Sequence, residues 1–317
     1  MSDVRENRPQ TFDVVIVGGG PAGLNAALIL GRSRRSVLVC DAGRPRNAPS
    51  RELHGFLSRD GIVPSELRRI GREQLRAYDG VVFRQVEVVD AVRGLDGFAV
   101  AIADGTTVHC RKLLLASGVV DWLPRVPGFE AIHGTSAFDC PYCDGWEFRD
   151  EPLAVYAPGH KGLGLALELL GWSARVTLCT DGPSGLEADE RARLTRLGIA
   201  LREERVVAFE EREGRLERTT FDAAPPLECK ALFYSMGKRQ ASALARKLGC
   251  EVNEKGAIEV RHDRTTSRAD LYVAGDACPG PQLAVIAAAE GAQAAIAINN
   301  VLLEEDLARA EGRSFAS

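Results

Sequence analysis

The sequence predicts an α/β protein in which one strand–turn–helix–strand layout occurs twice, and three observations carry that prediction. Residues 13–41 run from an apolar strand through a glycine cluster into a helix, then into a second strand that ends in an acid. Residues 152–182 repeat the layout without the glycine pattern. The composition, 45% hydrophobic and 26% charged over 317 residues, belongs to a globular chain long enough for two cores.

Taken in order, DVVIVG (13–18) reads as a strand buried on both faces, because its β-branched residues run without polar alternation. Gly18, Gly20 and Gly23 then satisfy G-x-G-x-x-G, and AGLNAALILGR follows with helical spacing. In such a unit the glycines permit a tight turn, close approach of backbone to a pyrophosphate, and close helix–strand packing. The pyrophosphate sits on the helix N-terminus, where free N–H groups favour an anion. The next strand, SVLVCD, ends in Asp41, placed to accept hydrogen bonds from ribose hydroxyls. These elements together predict a dinucleotide site.

Further along, LLLASG (113–118) is a hydrophobic strand ending in the small residues Ala116, Ser117 and Gly118. LYVAGDA (271–277) ends in Gly275 and Asp276, and a long helix follows from PQLAVIAAAEGAQAAIAINNVL. An acid at a strand end before a helix start suits FAD: the carboxylate can hold the ribitol while the helix N-terminus, with Gln282, Leu283 and Ala284, faces the flavin.

Of eight cysteines only Cys140 and Cys143, in CPYCDG, have redox spacing. No second C-x-x-C and no paired histidines accompany them, so a metal site is not expected. A thiolate is the reactive species, so a neighbouring group must take and return protons, and Asp144 is placed for that. Asp139 is harder to rationalise, since a negative charge beside Cys140 disfavours its thiolate.

GGGPAG, ASG and AGDA, in this order, resemble the FAD domain of pyridine nucleotide-disulfide oxidoreductases, and CPYCDGWEF resembles the active-site segment of the low-molecular-weight thioredoxin reductases. Pro21 and Ala22 fall inside the first of these motifs. The resemblance implies two Rossmann-like (FAD/NAD(P)-binding) three-layer domains, the second inserted into the first. The FAD domain would comprise 1–118 and 243–317, and an NAD(P)-binding-like domain carrying the dithiol would comprise 119–242. It further implies that Cys143 is the flavin-proximal sulfur, that Cys140 exchanges with substrate, and that Asp144 is the proton-transfer acid. A homodimer is usual for the family.

The second layout departs from the family. Ala157, Gly159 and Gly162 stand where G-x-G-x-x-A is expected, and Pro158 removes an N–H from the turn. In place of the basic residues that read a 2′-phosphate are Thr180, Asp181 and Gly182, and a carboxylate there repels phosphate. NADPH is therefore disfavoured. NADH remains compatible, because Asp181 has the spacing of an acid that holds an unphosphorylated ribose.

A relative without an NADPH site can run as a dithiol oxidase, like the gliotoxin-type members with a C-P-x-C pair. The expected function is thus an FAD-dependent thiol–disulfide oxidoreductase that oxidises a dithiol with O2 as acceptor. Two alternatives stay open: an NAD(P)H- or ferredoxin-dependent reductase of thioredoxin or a small disulfide, and a flavin redox sensor with little turnover. The partner is then a small dithiol or disulfide, or a thioredoxin-like protein.

His54, in RELHGFLSRDG, is a candidate proton relay or a base for a substrate thiol, although a lone histidine is more often structural. A net charge of −4 gives no reason to expect nucleic acid. LAVIAAAEGAQAAIAI is interrupted by Glu290 and Gly291, which suits a buried helix better than a bilayer, and the polar MSDVRENRPQ is no secretion signal. The expected location is the cytoplasm.

Overall fold

The computed structural model describes residues 10–312. The polar N-terminal stretch MSDVRENRPQ, apart from Gln10, lies outside the described residues. The chain divides into two compact units. The first comprises the chain up to Arg46, Ser65–Val120 and the chain from Arg239; the second comprises Asn47–Pro64 and Asp121–Lys238.

The first unit opens with β1 (Thr11–Val17), α1 (Pro21–Arg32), β2 (Val37–Cys40), α2 (Pro64–Leu75) and β3 (Val81–Arg84). A meander of β4 (Val88–Gly94), β5 (Gly97–Ile102) and β6 (Thr107–Leu115) follows, and β7 (Val119–Asp121) leads out. β3, β2, β1 and β6 lie side by side in parallel. Val14, Val15 and Ile16 are wholly buried, which is why β1 needs no polar alternation. β2 lies on one side of β1 and β6 on the other, so the strand order switches at the C-terminal end of β1. A doubly wound sheet binds nucleotides at such a switch.

The second unit carries α3 (Phe129–Ile132), β8 (Ala137–Phe138), α4 (Pro141–Asp144), β9 (Leu153–Tyr156), α5 (Leu163–Leu169), β10 (Val176–Cys179), α6 (Ala188–Arg196) and β11 (Ala200–Arg202). Then come β12 (Val206–Arg212), β13 (Arg215–Phe221), β14 (Ala224–Glu228), β15 (Ala231–Tyr234) and β16 (Lys238–Gln240). β11, β10, β9, β15 and β8 form a parallel sheet, and β12–β13–β14 a separate antiparallel one. The outgoing β7 and returning β16 pair with each other.

α7 (Leu244–Lys247), β17 (Leu271–Val273) and α8 (Ala284–Ala310) complete the first unit. β17 extends the parallel sheet by pairing with the second half of β6, whose first half pairs antiparallel with β5. By length and composition α8 could cross a membrane. Its small residues Ala287, Ala294 and Ala295, with Ile298 and Leu302, are buried with Ala22, Ala26, Ala27 and Leu30 of α1. A Cβ at Gly291 would overlap the Ala22 carbonyl, so the two helices meet backbone to backbone. Nearer its other end, Glu305 joins Asp270 in binding the buried Lys112 ammonium of β6.

The crossing points shift by a few residues, to Val120/Asp121 and Lys238/Arg239, and one whole segment differs from expectation. Residues 47–64, assigned by sequence to the first domain, group with the second unit. Leu53 and Ile62 bridge to close this segment, Gly134 packs on Pro49, and the His54 ring reaches Glu147. The last two contacts join residues more than eighty positions apart and leave no local signature.

Candidate active site

The dithiol sits on the single turn α4. Cys140 is its extended N-cap and Pro141 its first residue, where a missing N–H costs nothing. The N–H groups of Cys143 and Asp144 donate to the Cys140 carbonyl at 3.2 and 3.3 Å. That turn brings the two sulfurs together, with Cys143 Sγ donating to Cys140 Sγ at 2.7 Å.

This donation lowers the pKa of Cys140, against burial and the charges of Asp139 and Asp144, which push it up. The same contact, with burial, raises Cys143. The two sulfurs share one contact, so the first ionisation belongs to the pair, and the exposed Asp139 opposes it. Asp144 is pushed up from 3.8 to about 7, first by burial and then by Asp139 and Glu147, with His54 opposing. A carboxyl poised there can give and take a proton near neutrality.

His54 lies among carboxylates: Nε2 is 3.3 Å from Glu52 and 3.6 Å from Glu147, and Nδ1 is 3.5 Å from Asp60. Burial opposes its protonation, but Glu147, Asp60 and Glu52 outweigh it and raise its pKa. Aromatic rings complete the surroundings. Tyr142 meets Trp172 edge to face at 5.3 Å, and Arg149 lies 4.3 Å over the Trp146 ring. A side chain at Gly145 would strike Trp172, so the glycine makes room for that ring.

In the first unit the residues singled out for a dinucleotide converge on the switch point. Gly18, at φ +114°, turns the chain against the Ala116 carbonyl, a geometry closed to other residues. A Cβ at Gly23 would overlap the Gly18 carbonyl, and one at Gly19 would strike Asp41. A Cβ at Gly20, by contrast, would meet nothing within 4 Å. α1 begins there with Pro21 and Ala22, and no side chain caps it. Open space over an uncapped helix start, with an acid at the end of the neighbouring strand, is what a dinucleotide pyrophosphate and ribose require. Ser117 follows Ala116 at the end of β6, Gly118 faces the Cβ of Asp276, and Gly275 faces Ala22. Gln282 donates to the Asp276 carbonyl at 3.0 Å, and Leu283 and Ala284 form the uncapped start of α8. These residues fit FAD.

Two residues here escaped the sequence reading. Arg46 Nη1 donates to Asp276 at 3.0 Å and to Gln282 at 2.9 Å. Buried Glu290 accepts the Gly275 N–H at 2.8 Å and pairs with Arg264 at 3.0 Å. Arg46 had no motif to mark it. The acid inside the apolar helix was itself the signal for Glu290, since a buried carboxylate needs partners.

The corresponding turn of the second unit has another character. Asp181 Oδ1 accepts the Val206 N–H at 2.8 Å, and Oδ2 accepts the Tyr156 hydroxyl at 2.7 Å. His160 pairs with Glu190 at 2.8 Å, and Arg191 holds both Glu203 and Ser184. The acid that spacing offered to a ribose accepts one bond on each oxygen from within its own unit.

The family model described as pyridine nucleotide-disulphide oxidoreductase matches residues 12–291. The chain belongs to that family. It is a thioredoxin reductase-like flavoprotein oxidoreductase, and FAD and a nicotinamide nucleotide are the cofactors that membership implies. It is 37% identical over 153 residues to a probable thioredoxin reductase of Arthroderma benhamiae, covering 46% of this chain and 38% of that one. To thioredoxin reductase tcpT of Claviceps purpurea it is 37% identical over 185 residues, covering 56% of this chain and 58% of the relative. Both matches thus span less than two thirds of the relative's length. Among solved structures, that of HlmI superposes with a TM-score of 0.90 at 33% identity, covering 98% of this chain and 97% of that one.

Proposed function

We propose that this chain is an FAD-dependent thiol–disulfide oxidoreductase that oxidises a small dithiol through Cys140 and Cys143, with O2 as the electron acceptor. The single observation that carries the direction is Asp181: both its carboxylate oxygens are already bound by Val206 and Tyr156. With Pro158 in the turn and the His160–Glu190 pair beside it, the acid that would meet the adenosine ribose of a nicotinamide nucleotide is already engaged by the protein. NADPH and NADH are both poor donors in this reading.

The exchange follows from the sulfurs. A substrate thiolate attacks Cys140 Sγ of the oxidised pair, forming a mixed disulfide and expelling Cys143 as a thiolate, which Asp144 protonates. The second substrate thiolate then expels Cys140, so the substrate leaves as a disulfide and the pair is left reduced. The contact from Cys143 stabilises the Cys140 thiolate as leaving group, since a lower thiol pKa leaves faster. Gly18–Gly23, Asp41, Asp276 and the start of α8 would hold FAD, which would supply the two-electron redox chemistry needed to reoxidise the pair with O2 as final acceptor. His54 acts through Glu147 and its charge on Asp144, which it draws toward ionisation.

We place the enzyme in the cytoplasm, without a nucleic-acid or membrane partner. The exposed Val285, Ile296, Leu303 and Leu307 of α8 support a homodimer. The test is anaerobic bleaching of the yellow protein by NADPH, NADH and a small dithiol, each added alone. The dithiol is expected to bleach it and air to restore it. Fast bleaching by either nucleotide would overturn this direction and make the chain an NAD(P)H-dependent reductase.

A further inference from the structure

Two features of the dithiol's surroundings remain unused by the exchange itself. The first is apolar surface turned to solvent. Tyr142, between the cysteines, and Trp146, three residues beyond Cys143, are each 65% exposed. Both rings are braced, Tyr142 by Trp172 and Trp146 by Arg149. Braced, exposed aromatics lose little side-chain freedom when a flat group lies on them. The second is charge. Asp139, Asp144 and Glu147 act on the sulfurs or on one another, and Glu52 and Asp60 flank His54 beside Glu147. With Asp144 about half ionised near pH 7, the four carboxylates of Asp139, Glu147, Glu52 and Asp60 stand against His54 and Arg149. The approach to Cys140 is therefore apolar in surface and negative in potential, which repels anionic thiols on encounter.

We propose that this surface selects a small dithiol that is neutral or cationic and carries a planar apolar group, the ring lying on Tyr142 and Trp146 as a substrate sulfur meets Cys140. The inference rests on the dithiol reading above and names the substrate class. The reaction is unchanged: two substrate thiols are oxidised to a disulfide as the Cys140–Cys143 disulfide is reduced.

The test uses the flavin-loaded enzyme under nitrogen, with second-order bleaching rates taken at low dithiol concentration. Reduced lipoamide and reduced lipoate carry the same dithiol and differ by one carboxylate. At low ionic strength the amide is expected to react about tenfold faster, the gap falling to about twofold in 0.5 M salt as screening sets in. Glu147→Gln should narrow the low-salt gap. Benzene-1,2-dimethanethiol against dithiothreitol reads the aromatic contribution. Its advantage should fall about three- to tenfold in Trp146→Ala or Tyr142→Ala, both substitutions at exposed positions that leave the core intact. Equal rates for amide and acid at low salt, or an aryl preference unmoved by both alanine variants, would overturn the proposal. So would a reduced thioredoxin-like protein that outpaces every small dithiol. Bleaching by no dithiol at all would instead remove the dithiol reading on which it rests.

Discussion

Asp144→Asn separates the proton-transfer role of Asp144 from a merely structural one, because the two predict different pH dependence. Burial and the charges of Asp139 and Glu147 raise the folded-state pKa from 3.8 to about 7, with His54 pulling the other way. A carboxyl whose pKa is higher when folded binds its proton more tightly in the folded protein. Its contribution is most favourable below pH 3.8, where both states are protonated, and is lost as pH rises through about 7. The full difference corresponds to about 4 kcal/mol, and about 2 to 4 kcal/mol after allowing for partial solvent contact. Asparagine carries no such burden. Urea unfolding of the two reduced proteins from pH 5 to pH 8 should show the wild type losing about 2 kcal/mol relative to the variant, most of it between pH 5 and pH 7, with the loss levelling off above pH 7. Turnover should behave oppositely: the variant falls by about 10²- to 10⁴-fold and loses the inflection near pH 7. Stability curves that run parallel across this range would refute the assignment of a near-neutral carboxyl to Asp144. An inflection retained in the variant's rate profile would refute its role in proton transfer.

Gly20→Ala tests the flavin site without disturbing the fold. The new methyl meets nothing in the protein, so the unfolding midpoint of the flavin-free protein should be unchanged while flavin absorbance is lost on gel filtration; retained flavin would place the cofactor elsewhere. Glu290→Gln keeps an acceptor for the Gly275 N–H but leaves the Arg264 cation without its charge partner. It should cost about 1 to 3 kcal/mol in urea unfolding and loosen flavin binding, and an unchanged midpoint would contradict the pairing.

What the sequence made legible was local chemistry. Gly18, Gly20 and Gly23 could be read because a strand, a turn and a helix succeed one another within twenty residues, and each imposes its own spacing. Cys140, Cys143 and Asp144 could be read because one helical turn brings them together. Arg46 was hidden because its partner Asp276 lies 230 positions away, and nothing in GRPRN (43–47) marks an arginine that will bind it. Asp181 misled for a related reason. Its spacing was that of a ribose-binding acid, but Val206 and Tyr156, each 25 positions off, took both oxygens. The depressed pKa of Cys140 was also beyond the sequence, which showed the opposing Asp139 but not the direction in which Cys143 would donate.

The packing of α1 on α8 has a consequence for how the enzyme is made. Gly18–Gly23 leave the ribosome early, while Gly275, Asp276 and the start of α8 come some 250 positions later, and β17 pairs beside β6 only then. At about 5–20 residues per second, the nascent chain spends on the order of ten seconds or more with half a cradle. An entire second unit is synthesised in that interval. Cofactor loading therefore waits for nearly the whole chain, and a truncated product ending before Gly275 stays colourless and without a means of reoxidising its thiols. The colour of the protein reports its own completion.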